Sequence, residues 1–200
     1  MKKSILTIFF TIITILGYSQ NKIGVFIGAN HAGISDGFLK SGIPEGTIAF
    51  HIGGLFEIKL NNKVSFRPKL MYSQQGDRSI DKSLTSSNNQ LTYVNGSRID
   101  YKLSYLNLPM TFKFFNKTYV LLGPQLGILL STEKLNLEFG DIENTLDFGI
   151  NLGFGHEIKE FFIELNLYQG ISTLIKYENL YASDFNGTNN VIQLSIGYYF

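Results

Sequence analysis

The sequence has no cysteine and no tryptophan, and only four of its 200 residues are proline. Without cysteine, it can form no disulfide, zinc–thiolate site, iron–sulfur cluster or cysteine nucleophile. Charged residues make up 16% of the chain, well below the roughly 25% of an average soluble domain. The net charge of +1 gives no electrostatic basis for binding nucleic acid. No apolar run reaches the length of about 18 residues that a transmembrane helix needs.

Glycine and aromatic residues are abundant instead. The chain has 20 Gly, 17 Phe and 11 Tyr, and 44% of its residues are hydrophobic. Many aromatics and few charges are the opposite of the composition of disordered chains. A coiled coil would be rich in Ala, Glu, Lys and Leu. The composition therefore predicts one folded domain.

The start of the chain is typical of a secretory signal peptide. Two lysines follow Met1, a short apolar stretch comes next, and the small residues Gly17 and Ser19 resemble a cleavage site. We expect a signal peptide over residues 1–19, with Gln20 as the first residue of the exported chain. The domain then spans residues 20–200.

The exported chain alternates with a period of two. In the clearest segment, 145–158, one parity is apolar and the other is glycine, polar or charged, as on a strand with two different faces. The same alternation recurs in seven more segments. The eight predicted strands cover residues 22–34, 47–60, 64–75, 100–115, 119–131, 145–158, 161–169 and 190–200.

Strand lengths and connections predict the architecture. Most segments reach the 9–11 residues, roughly, with which a tilted strand crosses a bilayer. Short turns at 61–63, 116–118 and 159–160 alternate with long connections. The long ones cover residues 35–46, 76–98, 132–144 and 170–189. An even strand count with this alternation is typical of an eight-stranded antiparallel transmembrane β-barrel with short periplasmic turns and long extracellular loops.

Parity alone does not say which face points outward, and a soluble lipocalin-like barrel would have its apolar face inside. Two features favour lipid outside. Glycines crowd the polar face, which suits the narrow interior of an eight-stranded barrel. Aromatic residues on the apolar face, such as Phe66, Tyr72 and Phe112, lie near predicted strand ends, as in the aromatic girdles of membrane barrels.

Three motifs carry a family resemblance. They are the segments 66–73 (FRPKLMYS), 105–110 (YLNLPM) and 121–125 (LLGPQ). Together they resemble the outer-membrane β-barrel domain family of Bacteroidota, which includes the PorT-like proteins. The resemblance implies a location in the outer membrane of a Gram-negative bacterium and insertion by the barrel-assembly machinery. It also implies that this machinery reads the last strand as an assembly signal, through Ile196, Tyr198 and Phe200.

Charges on the inward parity form the main candidate site. They balance four against four, which predicts a salt-bridged plug in a narrow lumen, because buried charges persist when they are paired. An ion path is the alternative. If Leu60 pairs with Val64 across the first short turn, Glu57 lies opposite Arg67. The predicted network consists of Glu57, Lys59, Arg67, Lys69, Lys113, Asp147, Glu157 and Glu164.

The sequence shows no catalytic set. His51 lies on the inward parity and Ser73 is a candidate to oppose it, but no third member of a triad is visible. The three histidines are too dispersed to suggest a metal site, and no cofactor motif occurs. We therefore expect a non-enzymatic structural or interaction scaffold that displays extracellular loops, as a secretion or adhesion accessory with envelope or secretion proteins as partners. A lipid A-modifying enzyme and a soluble lipocalin-like carrier are the alternatives.

Overall fold

The computed structural model describes residues 21–43, 46–87, 90–134, 142, 144–177 and 185–200. At residues 41, 79–87, 90–100, 134, 176–177 and 185–186 only the backbone is described. The predicted signal peptide lies outside these residues. The elements are β1 (Lys22–Ser35), α1 (Phe38–Ser41), β2 (Thr47–Lys59), β3 (Val64–Ser87), β4 (Gln90–Phe114), β5 (Thr118–Lys134), β6 (Leu146–Ile158), β7 (Phe161–Tyr177) and β8 (Phe185–Tyr199).

The eight strands form a closed antiparallel barrel in which each strand pairs with its sequence neighbours and β8 pairs with β1. The eight strands, their order and the closed barrel confirm the predicted fold. The backbone N–H of Phe200 donates to the carbonyl of Ile23 at 2.9 Å, which completes the seam. In the described part of the chain, no helix is long and apolar enough to cross a membrane.

The barrel carries its apolar face on the outside. Outward side chains such as Ile27, Leu126 and Ile150 are 43–57% exposed, whereas inward Asn30, Gln125 and Asn151 are buried. A soluble barrel would show the reverse, because its outer surface would face water. The arrangement therefore has the polar interior and the apolar band of a membrane barrel.

The hairpin formed by β3 and β4 is much longer than predicted. Residues 76–98, expected as a loop, continue both strands, and pairing runs on to Ser87 opposite Gln90. Beyond Asp77, β3 pairs only with β4 in the described chain, and β4 pairs with β5 no further than Tyr101 opposite Lys134. At about 3.3 Å per residue, the ten residues 78–87 extend the hairpin about 30 Å past the barrel wall. Beyond the barrel wall no bilayer covers one face of a strand, so apolar alternation is not required there and the period-two pattern does not predict these strands.

The connections at the other end are short, as predicted. They join β2 to β3, β4 to β5 and β6 to β7. We call this the short-turn end and the opposite one the hairpin end. The described residues form three apolar clusters in the lumen. The two larger ones lie one at each end: Phe26, Leu55, Met71, Phe162 and Tyr199 near the short turns, and Tyr101, Leu103, Tyr105, Leu174 and Ile175 near the hairpin end. The smallest consists of Ala32, Tyr168 and Val191.

Two glycines provide a matched test of how tightly the seam is closed. A Cβ added at Gly28, on β1, would overlap the carbonyl oxygen of Leu194 on β8 and lie 2.6 Å from the His51 ring. At Gly54 the nearest atom would be 3.7 Å away. We expect Gly28→Ala to lower the free energy of unfolding by about 1–3 kcal/mol through overpacking. Gly54→Ala should leave it nearly unchanged.

The measurement is urea unfolding in lipid vesicles, with the heat-modifiable band on a gel as the assay for folded barrel. Equal effects of the two substitutions would contradict the close approach of β1 and β8 at Gly28.

Candidate functional site

Buried charges gather in the lumen near the short-turn end. Alternate residues of a strand point inward, so each strand contributes charges from its inner face only. The neighbouring strands then bring these side chains together across the narrow interior. The cluster consists of Lys22, Glu57, Arg67, Lys69, Lys113, Glu157 and Glu164.

Glu164, on β7, is the centre of one half of the cluster. Its Oε1 lies 2.6 Å from Nη1 of Arg67 and accepts a hydrogen bond from the Tyr119 hydroxyl at 2.8 Å. Its Oε2 is ion-paired with Lys69. The side chains of Arg67 and Glu164 are both completely buried. A carboxylate this far from water needs such partners, because an unpaired buried charge is very costly.

Lys113, on β4, joins the two remaining carboxylates. Its Nζ lies 3.1 Å from Oε1 of Glu57 and is also ion-paired with Glu157. The Tyr199 hydroxyl donates to both carboxylates at 3.0 Å. Lys22 adds an ion pair to Glu157 at 2.8 Å. The ammonium groups of Lys113 and Lys22 therefore balance the charge of two acids on opposite sides of the lumen, and the Tyr199 hydroxyl helps to orient them.

Aromatic rings enclose the Arg67 guanidinium. Its central carbon lies 4.7 Å from the ring centre of Phe162, 5.2 Å from that of Tyr119 and 5.5 Å from that of Tyr199. Such stacking favours a desolvated cation. The inward glycines make room for these rings: a Cβ at Gly197 would overlap the ring of Phe162. The glycine-rich inner face thus holds large side chains rather than an open channel.

The register between β2 and β3 agrees with the sequence prediction, but the strongest partners differ. Leu55 opposite Lys69 and Ile58 opposite Phe66 fix Glu57 across from Arg67. Nε of Arg67 is 3.8 Å from Glu57, whereas its contact with Glu164 is 2.6 Å. Glu164 lies on β7, far along the chain from Arg67. Cross-strand register predicts only neighbours in the wall, so it missed this contact across the lumen.

Two residues of the predicted network lie elsewhere. Lys59 is exposed at the end of β2. Asp147 is buried at the hairpin end, where it accepts hydrogen bonds from Ser172 at 2.9 Å and Asn189 at 2.8 Å. Parity gives the face of a strand but not the depth along it, which explains both errors. Strand direction would have separated Asp147 from Glu157, since the two lie at opposite ends of β6.

A second polar group, centred on His51, fills the middle of the lumen. Nδ1 of His51 lies 2.6 Å from Oδ1 of Asn30, and Nε2 lies 2.8 Å from Oγ of Ser195. The Asn30 amide nitrogen donates to Ser73 Oγ at 2.9 Å and to the Gln74 carbonyl at 2.7 Å. Oδ1 of Asn30 is therefore an acceptor only, so Nδ1 of His51 carries the proton and Ser195 donates to Nε2.

This Ser–His–Asn arrangement was missed by the sequence analysis, which placed only Ser73 near His51. Gly28 is the signal that could have revealed it. This residue pairs with His51 on β2 and with Ser195 on β8, and it has no side chain to separate them. All three side chains are buried, with at most 2% exposed. No three His, Asp or Glu side chains of the described residues are grouped to hold a metal ion.

The predicted assembly-signal residues lie on the outer face at the end of the chain. Ile196 is exposed on the wall beside the seam, opposite Ile27 of β1. The Tyr198 ring packs against Phe161 and Phe200, with ring centres 5.1 Å and 5.6 Å apart. These rings form an aromatic group at the short-turn end, the position of one girdle of a membrane barrel.

Double-mutant cycles test which ion pair matters most. We expect Arg67→Met, Glu57→Gln and Glu164→Gln each to destabilise the barrel, on the order of 3–5 kcal/mol where a charge is stranded. The Arg67–Glu164 coupling should exceed the Arg67–Glu57 coupling, because the closest nitrogen–oxygen distance is 2.6 Å in the first pair and 3.8 Å in the second. Unfolding free energies in neutral detergent give both couplings, with exposed Lys40→Met as the control. Additive losses for Arg67 and Glu164 would contradict their pairing.

Comparisons with known proteins agree with this geometry. The family model described as "Outer membrane protein beta-barrel domain" matches residues 18–176. No curated protein matches the sequence significantly. Among solved structures, Neisserial surface protein A (NspA) is 14% identical with a TM-score of 0.53, over 89% of this chain and 97% of that one. OprG from Pseudomonas aeruginosa is 13% identical with a TM-score of 0.50, over 91% and 97%.

At this identity the two structures establish the fold alone, and the family match covers most of the chain. The barrel, its apolar exterior and its filled polar lumen therefore belong to a protein of the outer membrane. The chain is a member of the outer membrane protein beta-barrel domain family.

Proposed function

We propose that this protein is a non-enzymatic membrane anchor that presents the β3–β4 hairpin outside the cell, as an accessory of secretion or adhesion. The observation that carries the proposal is the hairpin itself, which continues past the wall from Arg78 to Asp100. In outer-membrane barrels the long connections are extracellular and the short turns periplasmic. A binding segment placed on a rigid scaffold is a common arrangement in proteins.

The filled lumen favours a function as a membrane anchor rather than as a channel. Arg67, Lys113 and His51 are buried, and their ion pairs and hydrogen bonds cross the interior. Phe26 and Phe162 occupy the space near the short turns. An eight-stranded barrel has room for little beyond its own side chains. The described side chains thus fill much of the lumen, which favours an anchor rather than a channel.

The finer placement among PorT-like proteins, and the route of assembly, are also part of this proposal. The three sequence motifs lie on the neighbouring strands β3, β4 and β5, where Pro68 is opposite Met110 and Met110 lies level with Pro124. We infer export by a signal peptide over residues 1–19 and insertion by the barrel-assembly machinery. Tyr198 and Phe200 at the end of the chain fit recognition by that machinery, because their rings lie on the outer face at the position of an aromatic girdle.

Hairpin truncation tests the proposed function. Replacing residues 78–100 with Asn-Gly should leave a folded outer-membrane barrel, since the strand pairing described for this segment is within the segment itself. In cells, the truncated chain should reproduce the secretion or attachment defect of a full deletion. A control replaces the same residues with a Gly/Ser segment of equal length. Full complementation by the truncated chain would contradict the proposal, as would steady open-channel conductance of the wild type in planar bilayers.

The His51 group favours one second candidate, a serine esterase. Ser195 donates to His51, which in turn donates to Asn30, and this order of contacts is that of a general-base triad. The lipid A-modifying alternative would require these groups to meet the lipid. In the described structure they are enclosed in the lumen, so their hydrogen bonds serve packing.

A serine-reactive probe separates the two functions. We expect an alkyl fluorophosphonate not to label the folded wild-type barrel, because Ser195 is 2% exposed. Intact-mass measurement after incubation in micelles and in vesicles gives the extent of labelling, with Ser195→Ala as the control. Stoichiometric labelling that is lost in Ser195→Ala would establish a reactive serine and overturn the non-enzymatic proposal.

A further inference from the structure

Lysines dominate the exposed charge at the short-turn end. Each of the three short turns carries one, Lys63, Lys117 and Lys159, and all three are exposed. Lys59 is exposed beside the first turn, and Glu160 is the exposed acid among the described residues of these turns. We call the three turn lysines the basic rim. The described exposed charges at the hairpin end are mixed instead: Asp36, Lys40, Arg78, Lys102 and Glu133.

Hydrogen bonds between the turns hold the basic rim in place. The Phe115 N–H donates to the Lys63 carbonyl at 2.7 Å, and the Glu157 N–H donates to the Lys117 carbonyl at 2.8 Å. The Asn116 side chain donates to the Asn62 carbonyl at 3.2 Å. The backbone of neighbouring turns is thus joined around the opening, and the lysine side chains extend from a fixed ring.

Lys159 occupies a backbone conformation that costs energy for a lysine. Its φ of 57° lies in the left-handed region, where glycine has no steric penalty. Nothing in the packing requires a lysine there, because the side chain is exposed. A charge at a position where glycine would be more stable suggests that the ammonium group has a partner outside the chain.

The depth of the basic rim identifies that partner. Exposed apolar side chains lie in and next to the same turns: Leu60, Phe115, Ile158, Phe161 and Phe200. In the outer membrane these residues mark the inner edge of the hydrocarbon layer, where aromatics and lysines anchor a barrel. The lysine ammonium groups therefore lie at the level of the lipid phosphates of the periplasmic leaflet.

We propose that the basic rim binds the phosphate groups of anionic phospholipids in the periplasmic leaflet, so that phosphatidylglycerol is enriched around this end of the barrel. Long lysine side chains keep their apolar stems against the hydrocarbon and place the charge among the headgroups. Three cations on a fixed ring favour lipids with a net negative charge over zwitterionic ones. The mixed charges at the hairpin end carry no such preference.

The test measures phosphatidylglycerol binding to the folded, detergent-solubilised chain by native mass spectrometry, with phosphatidylcholine as the reference lipid. An attraction of about fivefold per lysine near an anionic surface predicts a loss of roughly a hundredfold in Lys63→Gln/Lys117→Gln/Lys159→Gln. The matched control, Lys40→Gln/Arg78→Gln/Lys102→Gln, removes the same charge from the hairpin end and should bind like the wild type. Equal losses in both triple variants, or equal wild-type affinity for the two lipids, would overturn the proposal.

Lys159→Gly separates lipid binding from stability. It relieves the left-handed backbone, so the thermal midpoint should rise, while phosphatidylglycerol affinity should fall about fivefold. The single variants Lys63→Gln and Lys117→Gln supply the same measurement if the triple variant does not fold. Unchanged affinity in all three single variants would overturn the proposal. Competition by millimolar glycerol phosphate as effective as that by phosphatidylglycerol would also overturn it, because the site would then bind soluble phosphate rather than a membrane lipid.

Discussion

The structure depends on one constraint: inside a lipid bilayer, every backbone N–H and C=O must find its partner within the protein. A sheet can meet this condition only by closing on itself, which β8 does by pairing with β1 from Tyr199 to Thr188. Closure at eight strands fixes a narrow interior. This narrow interior requires small inward residues at some positions. At Gly28, the missing side chain lets β1 and β8 approach each other and leaves room for the His51 ring.

The same closure determines how the lumen charges behave. Arg67 and Glu164 lie on opposite walls, yet the interior is narrow enough for their side chains to meet at 2.6 Å. With no bulk water available, each charge depends on partners from several strands, and Tyr119, Phe162 and Tyr199 surround the guanidinium. Ion pairs of this kind contribute little net stability compared with an apolar core, but they penalise any other arrangement of the strands.

The sequence predicted the features that follow from alternation. Strand number, order, the short turns and the inward position of most charges all depend on a period of two, which a bilayer imposes on one face. Prediction from the sequence failed where this alternation does not determine the structure. Residues 78–98 continue the hairpin past the barrel wall, where no bilayer imposes apolar alternation on one face, so the sequence there shows no such pattern. Asp147 and Lys59 have the expected parity but lie at other depths along their strands. Ser195 of β8 contacts His51 of β2 because barrel closure places both strands beside β1.

The long hairpin has a further consequence for how this protein meets other chains. Between Arg78 and Asp100 the two strands pair only with each other in the described structure, so each has one lateral edge whose backbone groups face solvent. Edges of this kind are templates for a further strand, and charges or prolines commonly protect them. The same hydrogen-bonding groups that close the barrel against lipid are thus left open along both edges of the hairpin, beyond the barrel wall.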